Sequence, residues 1–173
     1  MATNSADSSR QSNLSDIIIK KDNLSNQQVI SLLNDHFESL EMGNRVSGQK
    51  GYVLGLSALQ KPDVTVYTAW NQSGQLMGCG ALKEISHTHG EIKSVRTIPM
   101  YLRKGIATAL VQHILDVARH RGYHRVSLET GTREEFSAAR ALYARSGFVP
   151  CEAFEGYEDA SSETSMFMTC LLK

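Results

Sequence analysis

The run Arg103-Lys104-Gly105-Ile106-Ala107-Thr108 stands where a strand ending near Thr97 gives way to an amphipathic helix. A helix N-terminus carries unpaired backbone N–H groups and a partial positive charge, so a strand, a glycine-containing loop and a helix in that order make an anion site. Gly105 lets the backbone approach a phosphate, small Ala107 keeps the mouth open, and Arg103, Lys104 and the Thr108 hydroxyl add donors. Loops of this form also open ordinary helices, so the run alone does not fix a function. A nucleotide P-loop fits poorly, because Gly105 is not followed by the Gly-Lys-Ser/Thr that reads β- and γ-phosphates. His87 and His89 are spaced like metal ligands, but no second pair of Cys, His or acidic residues completes a site, and no metal is expected. Cys79, Cys151 and Cys170 are odd in number and far apart, as expected of buried thiols that are neither catalytic nor disulfide-bonded.

The elements that must position the run follow from periodicity and turn chemistry. Asp16 to Lys20 is a β-branched strand, and Ser25 with Gln28 has the form of a capping box for a helix whose stripe is Val29, Leu33, Phe37 and Leu40. Gly43 to Gly51 reads as a loop, followed by a short helix over Leu54 to Leu59 that Pro62 ends. Val64 to Trp70 and Leu76 to Ile85 form an antiparallel hairpin about Asn71-Gln72-Ser73-Gly74, with Tyr67 and Trp70 in its core or in a pocket wall. Glu91 to Thr97 is a further strand. The helix from Ile106 to Arg121 buries Ile106, Leu110, Ile114 and Val117 and stops at Gly122, while His113, His120 and His124 read as solvated. Arg125 to Glu129 is a strand, Thr132 with Glu135 reads as a second capping box for a helix ending near Gly147, and Phe148 to Ala153 and Ser165 to Leu171 close the sheet. This order predicts an α/β domain with a mixed sheet and helices packed on it.

Two stretches of this sequence resemble the GNAT superfamily of acetyl-CoA-dependent N-acetyltransferases. Thr97 to Ala107 looks like the family's cofactor motif, in which a strand runs into R/Q-x-x-G-x-G/A. Further on, Ala139-Arg140-Ala141-Leu142-Tyr143-Ala144-Arg145-Ser146-Gly147-Phe148 matches its second signature, A-x-x-L-Y-x-x-x-G-F. The resemblance runs from about Val64 to Leu171. It implies the GNAT fold, a mostly antiparallel twisted sheet of about seven strands with about four helices, over residues 16–173. It also implies acetyl-CoA as co-substrate, held by the backbone at Val95, Arg96 and Thr97 and by Arg103, Lys104, Gly105, Ile106, Ala107 and Thr108. Two positions depart from the family. Leu102 stands where Arg or Gln is usual, and Phe136 stands where many members have an Asn that contacts the cofactor.

Acetyl transfer to an amine requires a deprotonated amine, a polarised thioester carbonyl and a proton for the departing thiolate. By resemblance, Tyr143 matches the tyrosine that supplies that proton; its bland alternative is a ring packed on the helix's inner face. The resemblance also puts a β-bulge at Val95 to Thr97, whose backbone pairs with the pantetheine arm. Glu91 matches a glutamate that some members use as general base, and it could instead be a surface carboxylate paired with Lys93. Glu129 matches one used by others on the following strand, or is a buried carboxylate that orders the next loop.

The resemblance implies a primary amine as acceptor, and the leading expectation is a small molecule, an amino-acid or amine metabolite, although the motifs do not separate it from protein acceptors. Protein N-terminal or lysine acetylation, or a non-catalytic acetyl-CoA-binding module, are the alternative readings, and acceptor pockets in this family are built from variable loops such as Gly43 to Leu59 and Phe154 to Glu163. The chain's 18 Lys and Arg balance its 18 Asp and Glu, so no long-range field draws it to nucleic acid or an anionic membrane. No apolar run is long enough for a membrane span and no signal peptide opens the chain, so a cytoplasmic location is expected; a homodimer is left open. Residues 1–15, polar and nearly without large apolar groups, are expected to be a disordered tail.

Overall fold

A computed structural model describes residues 16–47 and 55–173; the expected disordered tail and the end of the expected loop after Gly43 lie outside these residues. The strands are β1 (Ile18–Asp22), β2 (Val64–Trp70), β3 (Leu76–Ser86), β4 (His89–Thr97), β5 (Arg125–Gly131), β6 (Val149–Cys151) and β7 (Ser165–Leu171). The helices are α1 (Gln27–Ser47), α2 (Leu56–Leu59), α3 (Ile106–His120) and α4 (Ser137–Arg145). The strands form one sheet in the order β1-β2-β3-β4-β5-β7-β6, in which β4 and β5 are the parallel pair and the other pairs run antiparallel.

Alternation along the strands divides the side chains between two cores. On one face, Tyr67, Ala69, Met77, Leu82, Val126 and Leu128 pack against α3, whose buried stripe is Ile106, Leu110, Val111, Ile114, Leu115 and Ala118. On the other, Val66, Leu76, Cys79 and Ala81 pack against Val29, Leu33 and Phe37 of α1 and Leu59 of α2. Beyond α1, this second face is covered over β7 by Phe154 and Tyr157, whose rings meet each other and Phe167 edge-on at 5.0 to 5.6 Å.

Three local expectations are corrected. The cap of α1 is Asn26, whose Oδ1 accepts the Gln28 N–H at 2.9 Å, while the Ser25 hydroxyl turns back to donate to Asn23. The helix continues through Gly43 to Ser47, because Gly43 is a point of close approach and not a stop. A Cβ there would come within 2.7 Å of the Arg133 guanidinium, which donates to the Gly43 carbonyl at 3.0 Å. The expected box at Thr132 and Glu135 does not form. Thr132 donates to the Glu163 carbonyl instead, and a 3-10 turn over Glu134–Phe136 leads into α4.

The feature that makes the site is a split in the sheet. β4 and β5 pair only from His89 to Glu91 against Arg125 to Ser127, and past that point the strands part. A bulge accompanies the opening: in the β3 pairing Lys93 faces Ala81 and Arg96 faces Cys79, so Ser94 and Val95 together oppose Gly80, with Ser94 at φ 54°. The bulge therefore falls at the leading edge of the Val95 to Thr97 segment expected to carry it.

Candidate active site

The gap between the parted strands opens into a cleft of about 890 Å³, walled by α1, the end of β4, the start of α3, the end of β5 and α4. At its α3 end the chain enters the helix through Arg103 at φ 59° and Gly105 at φ 84°, both in the left-handed region. None of the backbone N–H groups of residues 103–108 meets an acceptor among the described residues, and no side chain caps the helix. The backbone of this loop is a set of unused donors at a helix N-terminus, which fits a pyrophosphate. Arg103, Gly105, Ile106, Ala107 and Thr108 line the cleft with Val95, Arg96 and Thr97. Lys104 does not; its ammonium lies over the Tyr101 ring at 5.4 Å. Phe136, in the place of the family Asn, packs so closely on Gly131 that a Cβ there would meet its ring at 2.3 Å, and it forms cleft wall.

Tyr143 and Glu129 both border the same cleft. Tyr143, 9% exposed, packs edge-on against Phe148 at 5.8 Å, and its hydroxyl has no hydrogen-bond partner among the described residues. Burial, with the Glu129 carboxylate adding to it, pushes the phenol up to about 12. The Glu129 carboxylate accepts from the Ser165 hydroxyl at 2.6 Å. Its pKa is raised, because burial outweighs the downward pull of Ser165 and the Lys93 ammonium, and the Glu91 carboxylate raises it further.

Glu91 is placed differently. It is 2% exposed, does not border the cleft, and is held by the Lys93 ammonium at 2.6 Å and by the Tyr157 hydroxyl. Lys93, which also bonds the Tyr157 hydroxyl at 2.6 Å, stands between Glu91 and the cleft. The pairing with Lys93 read from the sequence is present, but buried rather than at the surface. Tyr157 carries no local signal in the sequence; it reaches Glu91 only because the segment after β6 folds back over β7.

The remaining residues singled out in the sequence fall elsewhere. His89 is buried, bonded to Ser127 at 2.8 Å and lowered to about 4, chiefly by burial, while His87 is exposed. His113 is not solvated: it is half-buried, edge-on to Tyr67 at 4.9 Å, and burial lowers its pKa. The three cysteines are free; Cys79 and Cys170 are buried and Cys151 half-buried. Among the described residues no group of three or more His, Cys, Asp or Glu could hold a metal ion, and no helix is long and apolar enough to cross a membrane. His36 of α1, which also lines the cleft, was given no role by the sequence. Its Nδ1 is buried without a partner among the described residues, and its pKa is lowered to about 4 by burial and by the nearby Arg96.

Residues 28–148 match the Acetyltransferase (GNAT) family. The chain is 45% identical over 151 residues to the Bacillus subtilis (strain 168) protein named uncharacterized N-acetyltransferase YsnE, covering 87% of this chain and 97% of that one. It is 42% identical over 139 residues to the Escherichia coli (strain K12) protein named uncharacterized N-acetyltransferase YedL, covering 80% of this chain and 86% of that one. A solved structure from Klebsiella pneumoniae, 27% identical, superposes with a TM-score of 0.74 over 91% of this chain and 98% of its own.

Proposed function

For a chain that belongs to the GNAT acetyltransferase family, and is thereby an acyltransferase, we propose transfer of the acetyl group of acetyl-CoA to a primary amine of a small molecule, by direct attack within the cleft between α1, β4 and β5. The observation that carries this reading is the meeting of two features in one cavity. The unused N–H groups of residues 103–108 lie at one end, and Tyr143 and Glu129 border the same space.

In this reading the backbone of residues 103–108, helped by Arg103 and Thr108, holds the pyrophosphate of acetyl-CoA. The bulge at Ser94 and Val95 frees β4 backbone groups to pair with the pantetheine arm and to donate to the thioester carbonyl. Glu129, whose raised pKa makes it a better proton acceptor than an ordinary carboxylate, takes a proton from the ammonium form of the acceptor. The amine nitrogen then bonds to the carbonyl carbon, and the carbon–sulfur bond breaks. Tyr143, kept protonated by its pKa of about 12, gives its proton to the departing thiolate, and the proton that the new amide nitrogen sheds returns the phenolate to its acid form. Glu91 is assigned a supporting part: it binds Lys93 and so keeps that ammonium beside Glu129, where it restrains the upward shift.

The test is thiol release from acetyl-CoA against a panel of amino acids, polyamines, amino sugars and peptides. Acetylation of at least one small amine with one thiol released per acetyl transferred is the expected result. Turnover confined to peptide or protein amines would overturn the small-molecule reading.

A further inference from the structure

The proposed function leaves one basic side chain of the cleft unexplained. Four of the others are accounted for. The Lys93 ammonium is paired with Glu91, and the Arg133 guanidinium is engaged by Glu135 and the Gly43 carbonyl. Arg103 and Arg145 line the cleft as exposed side chains within reach of solvent. Arg96 alone among these is half-buried while its guanidinium makes no ion pair or hydrogen bond among the described residues. An uncompensated guanidinium partly withdrawn from water is costly, and such sites are commonly completed by an anion.

The bulge decides where Arg96 faces. Without it, Lys93 and Arg96 would fall on opposite sides of β4. With the extra residue, Lys93 opposes Ala81 and Arg96 opposes Cys79, and both partners belong to the core beneath α1. Arg96 thus stands on the α1 side of the sheet, and its charge is felt by His36, which lines the same cleft. His36 presents the buried Nδ1 that lacks a partner, and an imidazole that stays neutral down to about pH 4 can hold its proton on that nitrogen.

Resting on the proposed function, we propose that the Arg96 guanidinium and the His36 Nδ1–H form an anion subsite of the acceptor pocket, and that the acceptor is an amine that also bears a carboxylate. Glu129 takes the ammonium end and Arg96 the carboxylate end. The two charges of such a molecule are met separately, and the backbone of Arg96 still serves the cofactor side of β4. A simple amine or an amide of the same skeleton leaves Arg96 unpaired and is discriminated against.

The experiment compares L-alanine, L-leucine, L-glutamine and L-phenylalanine, each with its C-terminal amide, on the wild type and on Arg96→Gln and Arg96→Lys. The reading is the acid-to-amide ratio of kcat/KM, with thermal unfolding run to confirm that the variants fold. The wild type is expected to prefer the acid of at least one pair by roughly ten- to hundred-fold, the range of one charge-assisted hydrogen-bonded pair. Arg96→Gln should bring that ratio towards one through KM for the acid, and Arg96→Lys should restore part of it. Equal use of acids and amides by the wild type would overturn the subsite. So would an Arg96→Gln variant that weakens acetyl-CoA binding while the ratio stands. If no amine at all is acetylated, it is the proposed function that fails. The subsite is then judged by calorimetry of the same pairs on CoA-saturated protein, where binding of the acid in preference to the amide supports it and equal or absent binding refutes it.

Discussion

Glu91 and Glu129 lie on the same sheet face, yet burial gives them different work. Glu91 is closed in by Lys93 and Tyr157, whereas Glu129 borders the cleft and, among the described residues, accepts a hydrogen bond from the Ser165 hydroxyl alone. A base must be ionised to take a proton, so activity should fall as the pH drops through the raised pKa of Glu129, above the ordinary glutamate range. The kcat/KM profile of the wild type is therefore expected to show that acid limb, and Glu129→Gln should remove it with a loss of roughly a hundred- to ten-thousand-fold. Glu91→Gln should retain the limb; a limb that vanishes with Glu91 and survives without Glu129 would reverse the assignment. In the sequence, alternation already put Glu91 and Lys93 on one face. Which of the two glutamates reaches the cleft was not legible, because that depends on Tyr157, brought in from a loop with no periodic signal.

At the scale of elements, α3 and its entry loop were readable before the structure, since Gly105 and the Ile106, Leu110 and Ile114 stripe are local features. The ends of α1 were not. Asn26 rather than Ser25 caps it, a choice between adjacent good capping residues, and Gly43 is kept inside the helix by the approach of Arg133 from a segment distant in the chain. The expected capping box before α4 failed for a similar reason, as Thr132 found a carbonyl at Glu163. The cradle itself is a property of backbone geometry, so its failure mode can be stated. Gly105→Glu places a side chain at φ 84° and a carboxylate among the free N–H groups, and calorimetry should show acetyl-CoA binding lost while the fold persists. Unchanged affinity in a folded Gly105→Glu protein would move the cofactor elsewhere.

Taken as a whole, the molecule brings the cleft's walls together from α1, β4, α3, β5 and α4, and no window of sequence contains them all. A mixed, mostly antiparallel sheet of about seven strands follows from the element order and the resemblance, but the strand order, the β4–β5 parallel pairing and the parting of those strands that creates the cavity are tertiary events. The consequence is that Tyr143, a core residue by packing, also lines the space that Glu129 and the loop before α3 border. The central claim is direct acetyl transfer with Tyr143 as the proton donor. Its most direct measurement is the rate of the chemical step in Tyr143→Phe, followed by rapid quench with acetyl-CoA and an accepted amine, alongside acetyl-CoA affinity and thermal unfolding. The phenylalanine keeps the ring on Phe148 and removes only the hydroxyl, so affinity and stability should hold while the chemical step slows by roughly ten- to ten-thousand-fold. A stable Tyr143→Phe protein that performs the chemical step at the wild-type rate would contradict the account.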